Sequence, residues 1–222
     1  MRGGFPALLA VRTLTVVNDN LARWLVIGLG KRAAALAGTA PAAVLAIGTV
    51  AYVLPFILFA WIAGWLADRF AKRTIVVGGK FAEILIALVT AAIVAWGAAA
   101  GGTWAGMPIG LWLLLGAIGL FAIQTTILNP GLLGTIAETV LPSKLSAANG
   151  IFAMVSLVAT LVGMAGGNWL ADATWLTSEP DPAHPLPAWL AALPMGHAIP
   201  TAGILGGVAV IGWLVSLLLP RV

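Results

Sequence analysis

Apolar residues run through this chain in long, nearly unbroken blocks, and polar residues gather in the gaps between them. The blocks cover residues 5–30, 42–66, 74–96, 108–128, 147–170 and 201–219. Each is about the ~20 residues that an α-helix needs to cross a hydrocarbon layer roughly 30 Å thick. The pattern predicts an all-α membrane protein of six transmembrane helices. Two connections are longer than turns. Residues 129–146 are of mixed polarity, with Pro130 and Pro142 as breaks. Residues 172–200 are rich in proline, and within them Trp189-Leu190-Ala191-Ala192-Leu193 reads as a short interfacial helix.

Composition agrees with that picture. The 222 residues are 61% hydrophobic and only 8% charged, where a soluble domain carries about a quarter charged residues. Most of the surface therefore faces something other than water. The 27 glycines suit close helix approach and the ten tryptophans suit interfacial anchoring. The formal charge of +4 does not point to nucleic acid, because the basic residues sit at block ends rather than in one run. Absence of cysteine excludes disulfides and thiolate metal sites. His184 and His197 have no further ligand at metal-binding spacing. With no P-loop, nucleophile elbow or zinc motif, neither catalysis nor a cofactor is predicted, and the chain has no ATPase of its own. Arg2 and the apolar residues after it faintly resemble a leader peptide. Arg12 and Asn18-Asp19-Asn20 interrupt it, so no cleavage is expected.

The bias of Lys and Arg in short connections sets orientation. With the N-terminus inside, Arg2, Arg69, Lys72, Arg73, Lys80, Lys144 and Arg221 fall on the cytoplasmic side. Lys31, Arg32, Asp172, Glu179 and Asp181 fall outside. Both termini are therefore expected in the cytoplasm.

Polar residues inside the blocks are the candidates for function, since an ionisable group at mid-span costs roughly 2.5–3.5 kcal/mol on insertion scales. Arg12, Asp19 and Arg23 are spaced by seven and four, which places them within roughly 40° of one another around a helix. This stripe should face a watery cavity, with Asp19 and Arg23 partly neutralising each other and Asn18 and Asn20 adding polar groups. Arg12 is close enough to the inner interface to snorkel. In the fifth block Asn149, Ser156, Thr160, Gly163 and Gly167 share a side, and Gly163 with Gly167 forms a small-xxx-small pair for direct helix packing. Gln124, Thr125, Thr126 and Asn129 either line a cavity floor or satisfy backbone near Pro130. Glu83, three residues after Lys80, reads as an interfacial ion pair, and Pro55 predicts a kink.

Between the second and third blocks lies Gly64-Trp65-Leu66-Ala67-Asp68-Arg69-Phe70-Ala71-Lys72-Arg73. It resembles the signature loop between helices two and three of the major facilitator superfamily, G-x-L-A-D-R-x-x-[KR]-[KR]. The resemblance implies one half of that fold, with six helices in a 3+3 inverted repeat. It also implies that Gly64 permits close helix approach, and that Asp68, Arg69, Lys72 and Arg73 form a conformational latch. Asn18-Asp19-Asn20-Leu21, the link Asn129-Pro130 through Glu138 to Leu145, and Ala148-Asn149-Gly150 leading to Gly163–Gly167 and Asp172 look like the lysophospholipid transporters within that superfamily. Those proteins flip lysophospholipids across the bacterial inner membrane and are often paired with an acyltransferase. The pathway residues this implies are Asn18, Asp19, Asn20, Arg23, Gln124 and Asn149. The chain departs from that pattern at Ala153, where a glutamate is usual. It also lacks the proline of drug–proton antiporters in the fifth block.

Family members have twelve spans, which 222 residues cannot hold. The chain is therefore expected to act as an N-terminal-type half beside a second six-helix half, supplied by a separate chain, a C-terminal part of a longer protein, or a second copy of this chain. Two alternatives stay open. One is proton-coupled transport of a soluble solute or drug, and the other is a truncated half or scaffold that does not transport.

Overall fold

The computed structural model describes residues 4–178 and 198–220. The expectations placed on Arg2, Glu179, Asp181, His184, the 189–193 segment, His197 and Arg221 lie outside the described residues. The elements are α1 (Gly4–Leu36), α2 (Pro41–Leu58), α3 (Ala60–Arg69), α4 (Lys72–Trp96), β1 (Thr103–Trp104), β2 (Met107–Pro108), α5 (Ile109–Thr139), α6 (Leu145–Ser178) and α7 (Ile199–Ser216), with a 3₁₀ turn at Pro142–Lys144 before α6.

Among the described residues, four stretches are long and apolar enough to cross a membrane: Pro41–Leu58, Lys72–Trp96, Ile109–Thr139 and Pro142–Thr174, at mean hydropathies of 1.9 to 2.1. The protein is thus helical and of multi-pass membrane type by length and composition. Helix α1 has 33 residues, enough to span, but its charged and amide side chains lower its hydropathy. At the other end of the chain, Thr201–Ser216 is apolar but shorter.

Helix α1 runs six residues past the expected end at 30, to Leu36, so that Lys31 and Arg32 are helical, and three further boundaries differ from the sequence pattern. The 42–66 block is not one helix, because Phe59 (φ −102°, ψ 0°) interrupts it four residues after Pro55. The interruption is bridged by hydrogen bonds, Phe59 N–H to the Pro55 carbonyl at 2.9 Å and Ala63 N–H to the Phe59 carbonyl at 2.9 Å. The result is one bent rod of the sort proline produces. Pro130, expected to end the fourth block near 128, is instead inside α5. A proline deletes one backbone hydrogen bond, yet Leu128, Leu132 and Ile136 continue a single buried face across it. Packing on both sides of Pro130 holds the helix to Thr139. Helix α6 likewise continues past 170 to Ser178. The β1–β2 hairpin is unforeseen, and its two-residue turn puts Ala105 (φ 50°) and Gly106 (φ 79°) in the left-handed region.

Helix α1 is the centre of the bundle. It packs against α2, α5, α6 and α7, while α4 packs on α5 and α7. The α1–α6 seam is close because two glycines of α6 face the α1 backbone. A Cβ on Gly163 would lie 2.7 Å from the Val17 carbonyl oxygen, and one on Gly167 would lie 2.7 Å from that of Leu21.

Two apolar clusters fill the interior. One gathers Leu25 and Leu29 of α1, Val94 of α4, Leu114, Ile118 and Phe121 of α5, Leu170 of α6 and Leu205 of α7. The other gathers Phe5, Leu8 and Val11 of α1, Val76 of α4, Leu128, Leu132 and Ile136 of α5 and Phe152 of α6. In α1, α4 and α5 alike, buried polar residues lie between the two clusters.

Candidate functional site

Those intervening residues form a buried belt across three helices. Thr15, Asn18 and Asp19 come from α1, Lys80 and Glu83 from α4, and Gln124 and Thr125 from α5, and all seven are buried. Glu83 is the hub. Its carboxylate accepts from Lys80 Nζ at 2.6 Å, from Asn18 Nδ2 at 2.8 Å and from Gln124 Nε2 at 3.4 Å. Gln124 Nε2 also donates to the Gly79 carbonyl at 3.0 Å, and Lys80 Nζ reaches Thr15 Oγ1 at 3.4 Å. Thr125 Oγ1 lies 2.5 Å from Asp19 Oδ2 and 3.1 Å from Gln124 Oε1.

Lys80 and Glu83 are both fully buried, so the interfacial position expected of them is corrected. An i, i+3 pair has the same spacing at an interface and in a core; depth decides. Helix α4 begins at Lys72, so Lys80 lies roughly 12 Å in at 1.5 Å per residue. A charge pair that far along an apolar helix was the available signal. Desolvating two charges is offset only when further hydrogen bonds satisfy them, and Glu83 has two beyond its lysine. The Lys80 side chain also fills a notch in α7, since a Cβ on Gly212 would lie 2.5 Å from Lys80 Cε.

The α1 polar residues do not act as one patch. Successive residues are 100° apart, and the structure sends them to different neighbours. Asn18 turns to α4. Asn20 donates to the Val16 carbonyl of its own helix at 2.9 Å, and its Cβ packs at Gly163 of α6. Asp19 turns to α5 and forms no ion pair with Arg23, which corrects the expected i, i+4 neutralisation. The Arg23 guanidinium lies over the Tyr52 ring at 4.5 Å, with Trp24 at 5.9 Å. Arg12 does not snorkel. It donates to Asn129 Oδ1 and Ser156 Oγ, each at 2.7 Å, and lies 5.0 Å over Phe152, tying α1 to α5 and α6. Four buried polar atoms in this region have no hydrogen-bond partner among the described residues: Asn18 Oδ1, Asp19 Oδ1, Arg23 Nε and Trp24 Nε1. Asn149 is exposed on α6, apart from the belt.

The 64–73 segment divides in two. The Lys72 amine pairs with Glu138 near the end of α5. Arg73 donates to the Leu219 and Leu217 carbonyls at 2.8 and 2.9 Å, closing the end of α7. Asp68 and Arg69 are exposed. Arg69 lies 5.5 Å over Trp65, and Asp68 has no ion-pair or hydrogen-bond partner among the described residues. Gly64 has open space where a Cβ would stand. At the opposite end of the bundle Arg32 of α1 pairs with Asp172 of α6.

No protein-family model matches this chain, and neither does any curated protein or solved structure. Chemically, the arrangement is a charged layer sealed between two apolar clusters, with Arg12 hydrogen-bonded to neutral groups and Arg23 stacked on Tyr52, neither in an ion pair among the described residues.

Proposed function

We propose that this chain is a major-facilitator-type transporter half. In this reading it sits in the bacterial inner membrane with both termini cytoplasmic, and with a second six-helix half it moves an amphiphile by alternating access. The bent α2–α3 rod and the other five long helices supply the six spans, in a 3+3 arrangement. Lysophospholipid is the substrate that fits the sequence resemblance. The observation that carries the reading is the buried polar belt, because charge in the middle of a membrane bundle marks a pathway more often than it serves packing.

Arg23 deepens the substrate side of this proposal. It lies at mid-helix beside a carboxylate it does not bind, braced on Tyr52, with its Nε–H unused. A phosphate oxygen of a lipid headgroup supplies the missing acceptor, while the acyl chain stays against apolar helix faces. The companion half lies against α2 and α6, whose span windows are each only 17% buried.

The test is flipping of a fluorescent lysophospholipid by the chain purified with its companion half and reconstituted in liposomes. Arg23→Gln is expected to lower the rate at least about tenfold, as loss of one charge-assisted hydrogen bond of roughly 1.5–3 kcal/mol requires. Flipping at the parental rate in Arg23→Gln would remove the headgroup assignment. Flipping by the isolated chain at the rate of the assembly would remove the half-transporter reading.

A further inference from the structure

Hydrogen bonds around Asp19 do not balance if its carboxyl group is bare. The Thr125 hydroxyl has one proton, yet its oxygen lies 2.5 Å from Asp19 Oδ2 and 3.1 Å from Gln124 Oε1. Turning the Gln124 amide over does not resolve this, because its Nε2 already donates to the Gly79 carbonyl and to Glu83, both acceptors only. Most other helical threonines here use their hydroxyls locally, with Thr174 and Thr201 bonding to each other across helices. Thr15, Thr90, Thr126, Thr135 and Thr139 each donate to the carbonyl four residues back. Thr125 does not, and its hydroxyl is committed across the helix interface.

No cation forms an ion pair with Asp19 among the described residues, although Lys80 and Arg12 are near enough to act on it through space. Of the charged groups around it, Lys80 of α4 is bonded to Glu83, Arg12 to Asn129 and Ser156, and Arg23 lies on Tyr52 of α2. Glu83 adds a second negative charge on the α4 side. Asp19 Oδ1 has no donor among the described residues. A buried carboxylate left with at most one hydrogen bond and no ion pair is costly.

We propose that Asp19 is a proton-binding site, its carboxyl O–H donating to Thr125 Oγ1. This closes a one-way chain, Asp19 to Thr125 to Gln124 to Glu83, that ties α1 to α5 and α4. When Asp19 Oδ2 gives its proton to water, the Thr125 hydroxyl swings back to the new carboxylate and Gln124 Oε1 loses its donor. The new negative charge then stands one helical turn from Arg23, whose Nε–H is unused, and the two can pair at i, i+4. Proton release and an anionic headgroup thus compete for Arg23, so losing the proton expels the headgroup. The site stands on its own geometry; only the competition for Arg23 rests on the transport reading.

The experiment is infrared difference spectroscopy of the full chain in lipid nanodiscs across a pH series. A protonated-carboxyl C=O band is expected at neutral pH, lost in Asp19→Asn and retained in Glu83→Gln. In Thr125→Val the band is expected to move toward that of a carboxylic acid without a hydrogen-bond acceptor, and this variant decides the matter if Asp19→Asn does not fold. Absence of the band at neutral pH, its survival in Asp19→Asn, or an unmoved band in Thr125→Val would overturn the proposal. The two readings fail separately. Failed flipping with the band present sinks only the transport reading, and a missing band leaves flipping untouched.

Discussion

At the scale of the residue, the Lys80–Glu83 pair is the most consequential feature of the interior. Both side chains are sealed from solvent. Removing one partner strands a charge in the core, which is expected to cost about 3–5 kcal/mol, whereas removing both leaves neutral groups of similar shape. Lys80→Met and Glu83→Gln should therefore each destabilise the chain strongly, and the double variant should be more stable than either single one. Denaturant titration in detergent micelles, read by circular dichroism as a double-mutant cycle, measures this. Additive losses would mean that the pair is not coupled. Polar groups of the belt were legible in the sequence where they interrupt an apolar run, as at Asp19 and Gln124. Their partners were not, because 100° separates Asn18 from Asp19 and only tertiary packing decides which helix stands on each side.

At the scale of the element, hydropathy located the helices well, since a block of twenty apolar residues has few other uses. It failed where packing overrode a local breaker, and Pro130 shows why. The face of Leu128, Leu132 and Ile136 is buried on both sides of the proline, and no single-residue propensity contains that information. The glycines follow the same logic. A Cβ on Gly167 would meet backbone, the Leu21 carbonyl at 2.7 Å and that of Asn20 at 3.0 Å, while Gly64 faces open space. Backbone cannot rotate away as a side-chain tip can. Gly167→Ala is expected to force α6 off α1 at a cost of about 1–3 kcal/mol, the range for overpacking. Gly64→Ala is expected to be neutral or slightly stabilising in the isolated chain. Thermal melting of the two variants side by side checks this, and equal melting temperatures would contradict the packing argument.

At the scale of the whole molecule, the charges at the Lys72 end fall into two groups. Lys72 and Arg73 are engaged within the chain, on Glu138 and on the end of α7. Asp68 has no partner among the described residues. Under the proposed function, a latch acting between two halves needs a group that its own half leaves unpaired, and Asp68 meets that condition among the described residues. Asp68→Asn is accordingly expected to leave the melting of the isolated chain within about 0.5 kcal/mol of the parent, as an exposed substitution away from any contact should. Lys72→Ala breaks a partly exposed ion pair and is expected to lower stability by up to about 1 kcal/mol. In the reconstituted assembly the order reverses. There Asp68→Asn is expected to slow lysophospholipid flipping at least about fivefold, the lower end of typical coupling energies between states. If Asp68→Asn destabilised the isolated chain as much as Lys72→Ala does, Asp68 would have a partner within its own half and could not serve as a latch to another.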